Sequence, residues 1–327
     1  GARGIPACRR QAVGDWMGLV SSLPDELPTY EWASRPPSDV RIDFAGWREG
    51  LSAPDDGIDY VDLPDSPDGL DHDLVPVGDP RIRVMGAYFH EGWPHAVPGA
   101  WLRPRAYERL LHAADGLPAG FGLAVWDAWR DPRLQAALHD RVYRDTSLAP
   151  GFVAYPDPDP RRCPPHATGG TVDLTLTYRN HALSLGTRFD AFVPEASAAS
   201  LEPDGPALER DLRRLLWHAM SGAGFVQHPQ EWWHWEYGTR YWSAVTGEPV
   251  LFVKVTPAGA EDVAMGCPPK FSDDGETVAA PDRAGAAIAA AASAVATSRR
   301  ACEQVAAMPG RAGRRGAVMG KPPWRSG

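Results

Sequence analysis

Glu231 and His234 stand three residues apart in EWWHWEYGT, a stretch that also carries Trp232, Trp233, Trp235 and Tyr237. A carboxylate and an imidazole so close can be a base beside a metal ligand. They can also be two polar residues held in a packed aromatic strand. A second pair lies upstream in PPHATGGTVDLTL, where Asp173 follows His166 by seven residues. Two imidazoles and one carboxylate suit a catalytic Zn²⁺ whose fourth position stays open to water. Glu231, near His234, is then placed to take a proton from the attacking water. Geometry sets one condition. In an ideal strand, positions i and i+3 point to opposite faces, so Glu231 and His234 converge only if Glu231 lies in a bend before the strand. Pro229 favours such a late start.

These residues need elements to position them. TVDLTLTY reads as a strand, with Val172, Leu174 and Leu176 on one face and Thr171, Asp173, Thr175 and Thr177 on a polar one. FGLAVWDAW reads as another strand. AYERLLHAAD and ALERDLRRLLWHAM have helical periodicity; in the second, Leu208, Leu212, Leu215, Leu216 and Ala219 share a stripe, and GAG after Ser221 ends the helix. His166 sits in the Pro/Gly-rich approach to the first strand, a loop-then-strand layout that can bring imidazole and carboxylate together.

The chain divides into three zones. Residues 1–80 are rich in Pro, Asp and Gly and read as an irregular extension. Residues 81–256 carry the periodic elements. Residues 257–327 turn Ala-rich, then basic, and read as a low-complexity, disordered tail, dispensable from about residue 275 onward. The formal net charge of −9 argues against a phosphate-neutralising surface, hence no nucleic-acid partner. No apolar run approaches the roughly 20 residues of a membrane span. The four cysteines, Cys8, Cys163, Cys267 and Cys302, are scattered, which speaks against a disulfide framework or a cysteine zinc site. No secretory signal is visible, so a cytoplasmic location is expected, although the chain lacks an initiator Met.

Taken together, H-x-x-G-G-T-V-D-L-T-L from His166 to Leu176 and E-W-W-H from Glu231 to His234 resemble the zinc-dependent D-Ala-D-Ala dipeptidases. That is the family of the vancomycin-resistance dipeptidase, related to the D,D-carboxypeptidases and sharing the Hedgehog/D-Ala metallopeptidase fold. VWDAWRDPRLQAAL, LGTRFDAF and LRRLLWHAMSGAGF agree in order and spacing, so the resemblance covers roughly residues 81–255. It implies an α+β domain, a small antiparallel-rich sheet with flanking helices.

The resemblance also implies roles. His166, Asp173 and His234 match the ligands of one Zn²⁺ per chain, and Glu231 matches the general base. Arg130 matches the arginine that stabilises the tetrahedral intermediate; it is expected at a strand end, with Asp131-Pro132 opening the next helix. Asp190 matches the acid that receives the ammonium of a small dipeptide substrate, and Asp127 a supporting acid near the arginine. The alternatives are a D,D- or L,D-carboxypeptidase acting on peptidoglycan stem peptides, or a non-catalytic zinc-binding member of the fold. Two positions depart from the pattern: Pro164 replaces a Ser and Thr171 an Ala. The hydroxyl lost at 164 puts dedicated D-Ala-D-Ala specificity in doubt. Cys163 is expected as a small residue entering a tight turn, not as a ligand.

Overall fold

The computed structural model describes residues 34–43, 46–48, 50–54, 57, 63–67, 74–144 and 153–255. The Ala-rich and basic tail, and Cys8, Cys267 and Cys302, lie outside the described residues. Strand β1 (Val75–Pro76) pairs with β3 (Trp101–Leu102). The main sheet is built from β2 (Ile82–Val84), β4 (Phe121–Asp127), β5 (Thr171–Tyr178), β6 (His181–Ala182), β7 (Val226–Gln227) and β8 (His234–Glu236). Its order is β2-β4-β5-β8-β7, with β6 also on β5. Only the β2–β4 pairing is parallel; the others are antiparallel. Helices α1 (Ala87–His90), α2 (Pro104–Asp115), α3 (Pro132–Arg144), α4 (Ala207–Gly222) and α5 (Arg240–Thr246) complete a mixed α+β architecture.

Local chemistry accounts for the helix bounds. Pro104 opens α2 at a position whose N–H has no intrahelical partner. Ala106, Leu110, Ala113 and Ala114 then bury one face. On α4 the buried stripe is Leu212, Leu215, Leu216 and Met220, and the chain leaves the helix through Gly224 at φ +92°. In α3 the Asp131 carboxylate accepts the Arg133 N–H at 2.7 Å, capping a helix whose first residue is Pro132.

The two long strands differ from the two-faced reading of their sequences. Every residue of β5 is buried, and all of β4 except Phe121. Thr171 and Thr175 are as buried as the leucines, because the sheet is covered on both sides. The Thr175 hydroxyl meets its hydrogen-bonding need within the fold, donating to the Leu183 carbonyl at 2.7 Å. Asp173 therefore does not lie on a solvated face. The described parts of residues 34–80 also join the main core, which includes Ile42, Trp47 and Val77 together with Trp232, Trp233 and Trp235. Residue Arg35 bridges to Leu183.

Gly170, between the His166 turn and β5, shows how tightly this approach is packed. A Cβ there would fall 2.4 Å from the Tyr237 carbonyl oxygen and 2.7 Å from Phe252 Cδ2. The first contact is backbone, already fixed because Tyr237 N–H donates to the Gly170 carbonyl at 2.8 Å. Gly170→Ala is expected to cost about 1–3 kcal/mol of stability, as overpacking does. The midpoint of denaturant unfolding measures it; an unchanged midpoint would show that the strands can part there without cost.

Candidate active site

One row across three strands organises the site. Asp127 on β4 pairs in register with Asp173 on β5, and Asp173 pairs with His234 on β8. The register slips between Val125 and Asp127, so the end of β4 is irregular where it meets the site. His166 comes in from a 3-10 turn over Pro165–Thr168 that closes on Gly169 at φ +74°. That turn is tied down from behind. Arg103 Nε donates to the Thr168 carbonyl and its Nη2 to the Val253 carbonyl, each at 2.7 Å.

The stretch from Glu231 to His234 satisfies the bend condition. Strand β8 begins only at His234, and Glu231–Trp233 precede it in a turn in which His234 N–H donates to the Glu231 carbonyl at 3.2 Å. Both side chains thus reach the same cavity, with Glu231 Oε2 3.6 Å from His234 Nδ1. The tryptophans at 232, 233 and 235 are fully buried. They lock the backbone that carries His234, so the aromatic content of the motif is core packing around the Glu231–His234 pair.

His166, Asp173 and His234 bring ligand atoms within 4.8 Å of one another. His166 Nε2 lies 3.2 Å from Asp173 Oδ2 and 3.3 Å from His234 Nδ1; His234 Nδ1 lies 3.0 Å from Asp173 Oδ1. Donors about 2.0 Å from a tetrahedral zinc stand about 3.3 Å apart, which these separations match. The proton inventory agrees. His166 Nδ1 lies 2.6 Å from the Ala128 carbonyl, which can only accept, so the ring proton is on Nδ1 and Nε2 presents a lone pair. His234 Nε2 lies 3.1 Å from Glu236 Oε1, and with Glu236 as a carboxylate this leaves Nδ1 as the inward-facing lone pair. Asp173 Oδ1 is buried without a hydrogen bond. Three acceptors converging on one point call for a cation, and these residues fit one.

The charge balance points the same way. Asp127, Asp173, Asp190 and Glu231 gather around the guanidinium of Arg130. Burial pushes the Glu231 carboxyl well above its usual range, and the neighbouring Asp173 and Asp190 push it further. Burial likewise lifts Asp190 to about 7 and Glu236 to about 8. Asp173, facing two imidazole lone pairs, keeps Arg130 as its charged partner, with Nη2 3.3 Å from its Oδ2. Burial lowers the pKa of His234, so its ring is neutral at neutral pH, the state a metal ligand needs.

Arg130 does not end a strand. Strand β4 stops at Asp127, and Arg130 lies three residues on, in the turn before α3. It is held there by hydrogen bonds rather than by the ladder. Its Nε donates to Asp127 at 2.8 Å, Nη1 to Gln135 at 2.8 Å, and Nη2 to Tyr88 and Asp173 at 3.3 Å each. It is buried, and its guanidinium stacks 4.9 Å over the Tyr88 ring. Asp190 adopts a left-handed backbone, φ +56°, tolerable for Asp, and accepts the Tyr88 hydroxyl at 2.6 Å. Arg130, His166, Asp173, Asp190, Glu231 and His234 all line one cavity of 740 Å³. Asp127 is not in its wall and reaches the site through Arg130 and, at 3.5 Å, His166 Nδ1.

Sequence reasoning missed Tyr88, Gln135 and Glu236. Tyr88 sits on the four-residue helix α1, too short to carry a periodic signal. Gln135 is a buried amide among the apolar positions Leu134, Leu138 and Val142 of α3. For Glu236 a signal existed, because in a strand it shares a face with His234 two residues earlier. Cys163 is buried, unpaired and outside the three-ligand cluster, its thiol pushed up to about 11 by burial. Pro164 lines the cavity. Among the described residues, no helix is long and apolar enough to cross a membrane.

Residues 106–246 match the Peptidase_M15 family, described as D-ala-D-ala dipeptidase. The matched span contains the three candidate ligands, Glu231, Arg130, Asp127 and Asp190. A D-alanyl-D-alanine dipeptidase of Synechocystis sp. is 34% identical over 193 residues, which are 49% of this chain and 76% of that protein. The D-alanyl-D-alanine dipeptidase of Escherichia coli is 34% identical over 123 residues, 36% of this chain and 56% of that protein. The buried His-Asp-His cluster falls within the matched span, and the chain belongs to the D-Ala-D-Ala dipeptidase family of metallopeptidases.

Proposed function

We propose that residues 81–256 form a zinc dipeptidase domain that hydrolyses D-alanyl-D-alanine or a related short D-amino-acid dipeptide. One Zn²⁺ would be held by His166, Asp173 and His234. The observation that carries this reading is the convergence of three buried lone-pair donors beside a carboxylate, Glu231, that is close to them but not one of them. When bound, Zn²⁺ acidifies a water and polarises the scissile carbonyl.

The protein's own groups supply the rest. Glu231 takes the proton of the attacking water and passes it to the leaving amine, as a base at the cavity wall can. Burial, and then the neighbouring Asp173 and Asp190, disfavour the carboxylate form of Glu231, which a dication held by His166, Asp173 and His234 would favour. Arg130, aimed by Asp127 and Gln135, stabilises the developing oxyanion, an effect of about 3 kcal/mol for one preorganised donor. Asp190, steadied by Tyr88, receives the substrate ammonium.

A panel of D- and L-dipeptides, with metal analysis and chelator controls, tests this reading. Hydrolysis of D,D-dipeptides that stops with chelator and returns with Zn²⁺ is the expected result. Cleavage of longer stem peptides but not dipeptides would favour the carboxypeptidase alternative, and zinc binding without turnover the non-catalytic one. Asp190→Asn should raise KM for the dipeptide by roughly thirty-fold or more, because it leaves a buried ammonium without its counter-charge. kcat should change much less, and steady-state kinetics separate the two. An unchanged KM would remove Asp190 from substrate binding.

A further inference from the structure

His234 can present either ring nitrogen to the cluster, and an isolated imidazole holds the two tautomers close in energy. In this protein a chain of hydrogen bonds settles the choice once Glu236 is ionised, the form a cation at the cluster would favour. It starts at α5, where the Trp242 N–H donates to the Thr239 hydroxyl oxygen at 3.2 Å. A backbone N–H can only donate, so that oxygen accepts, and its one proton goes to Glu236 Oε2, with which it is hydrogen-bonded. In the carboxylate form the other oxygen, Oε1, can only accept, and it takes the His234 Nε2 proton at 3.1 Å. Nδ1 is then the nitrogen without a proton, and it faces Asp173 and His166. Strand register places these groups: Glu236 pairs with Thr171 on β5 and with Val226 on β7, so it is anchored from both sides. Glu236 and Thr239 are both fully buried.

We propose that Glu236 is a positioning residue that, backed by Thr239, fixes the tautomer and orientation of His234 and thereby sets the affinity of the site for its metal. This rests on the ligand reading above. A carboxylate behind a ligating imidazole raises the basicity of the ring as well as orienting it. Gln at 236 keeps an acceptor oxygen for Nε2–H but carries no charge. Leu removes both.

The test uses the full-length protein with Glu236→Gln, Glu236→Leu and His234→Ala. Zn²⁺ affinity is measured by competition with a chromophoric chelator, and the visible spectrum of the Co²⁺-substituted protein is recorded. Affinity should fall roughly ten-fold in the Gln variant and about 100-fold in the Leu variant, the range for losing such a partner. The Co²⁺ absorption should shift in both, reporting a changed nitrogen donor. If Glu236 merely packs, both variants lower the melting temperature of the metal-free protein while zinc affinity and the Co²⁺ spectrum match the parent, and the proposal is overturned. The Gln variant decides alone if the Leu variant does not fold. His234→Ala keeps the two readings apart. Its loss of zinc alongside unaltered affinity in the Glu236 variants overturns only the role of Glu236; its retention of zinc overturns the ligand assignment itself.

Discussion

Replacing His166, Asp173 or His234 with alanine is expected to abolish zinc binding and turnover together. Each supplies one of three donors at separations of 3.0–3.3 Å, so removing one leaves two, too few to hold the metal against water. The loss of affinity should exceed the roughly 100-fold that follows from deleting a hydrogen-bond partner behind a ligand. Zinc stoichiometry and dipeptide turnover on the same preparation measure both. A thermal scan adds a second readout. Anything that binds only the folded state stabilises it by mass action, so Zn²⁺ should raise the melting temperature of the parent and leave the three variants unmoved. Full zinc retention in all three would sink the assignment.

Glu231→Gln should separate base from ligand. The substitution preserves size and removes the ability to take a proton. With Glu231 Oε2 3.6 Å from His234 Nδ1 and outside the three-ligand cluster, zinc should stay bound. kcat should fall by roughly 10²-fold or more, the scale on which a positioned general base contributes. Relief of crowding among Glu231, Asp173 and Asp190 should also leave the metal-free variant at least as stable as the parent at neutral pH, because a neutral amide replaces a group that burial disfavours as a charge. If zinc falls along with activity, Glu231 is a ligand. Near-normal turnover with zinc bound would remove the mechanism and leave Glu231 as a residue of the turn.

Much of the site was legible because its signals are local. Asp173 occupies a polar position in an otherwise alternating strand, and Pro229 delays the start of β8 enough to bring Glu231 round to the side of His234. The Asp131-Pro132 pair opens α3 by chemistry contained within three residues. Groups whose role depends on a distant partner were not legible. Tyr88 matters because its hydroxyl reaches Asp190, 102 residues on, while its ring lies under Arg130. Gln135 reads as a helix residue until its carbonyl is seen to take an Arg130 N–H.

Composition, period and motif thus determined by themselves the two long strands, the helices α2, α3 and α4, and which residue types could hold a metal and move a proton, since side-chain spacing and backbone preference act over a few residues. The tertiary structure alone decided the register that aligns Asp127, Asp173 and His234 in one row, the covering of both faces of β5, and the displacement of Arg130 beyond its strand. It also decided which imidazole nitrogen faces Asp173. That choice is made by the Ala128 carbonyl for His166 and by Glu236 for His234, and a hydrogen bond between residues 38 apart in sequence exists only once the chain has folded.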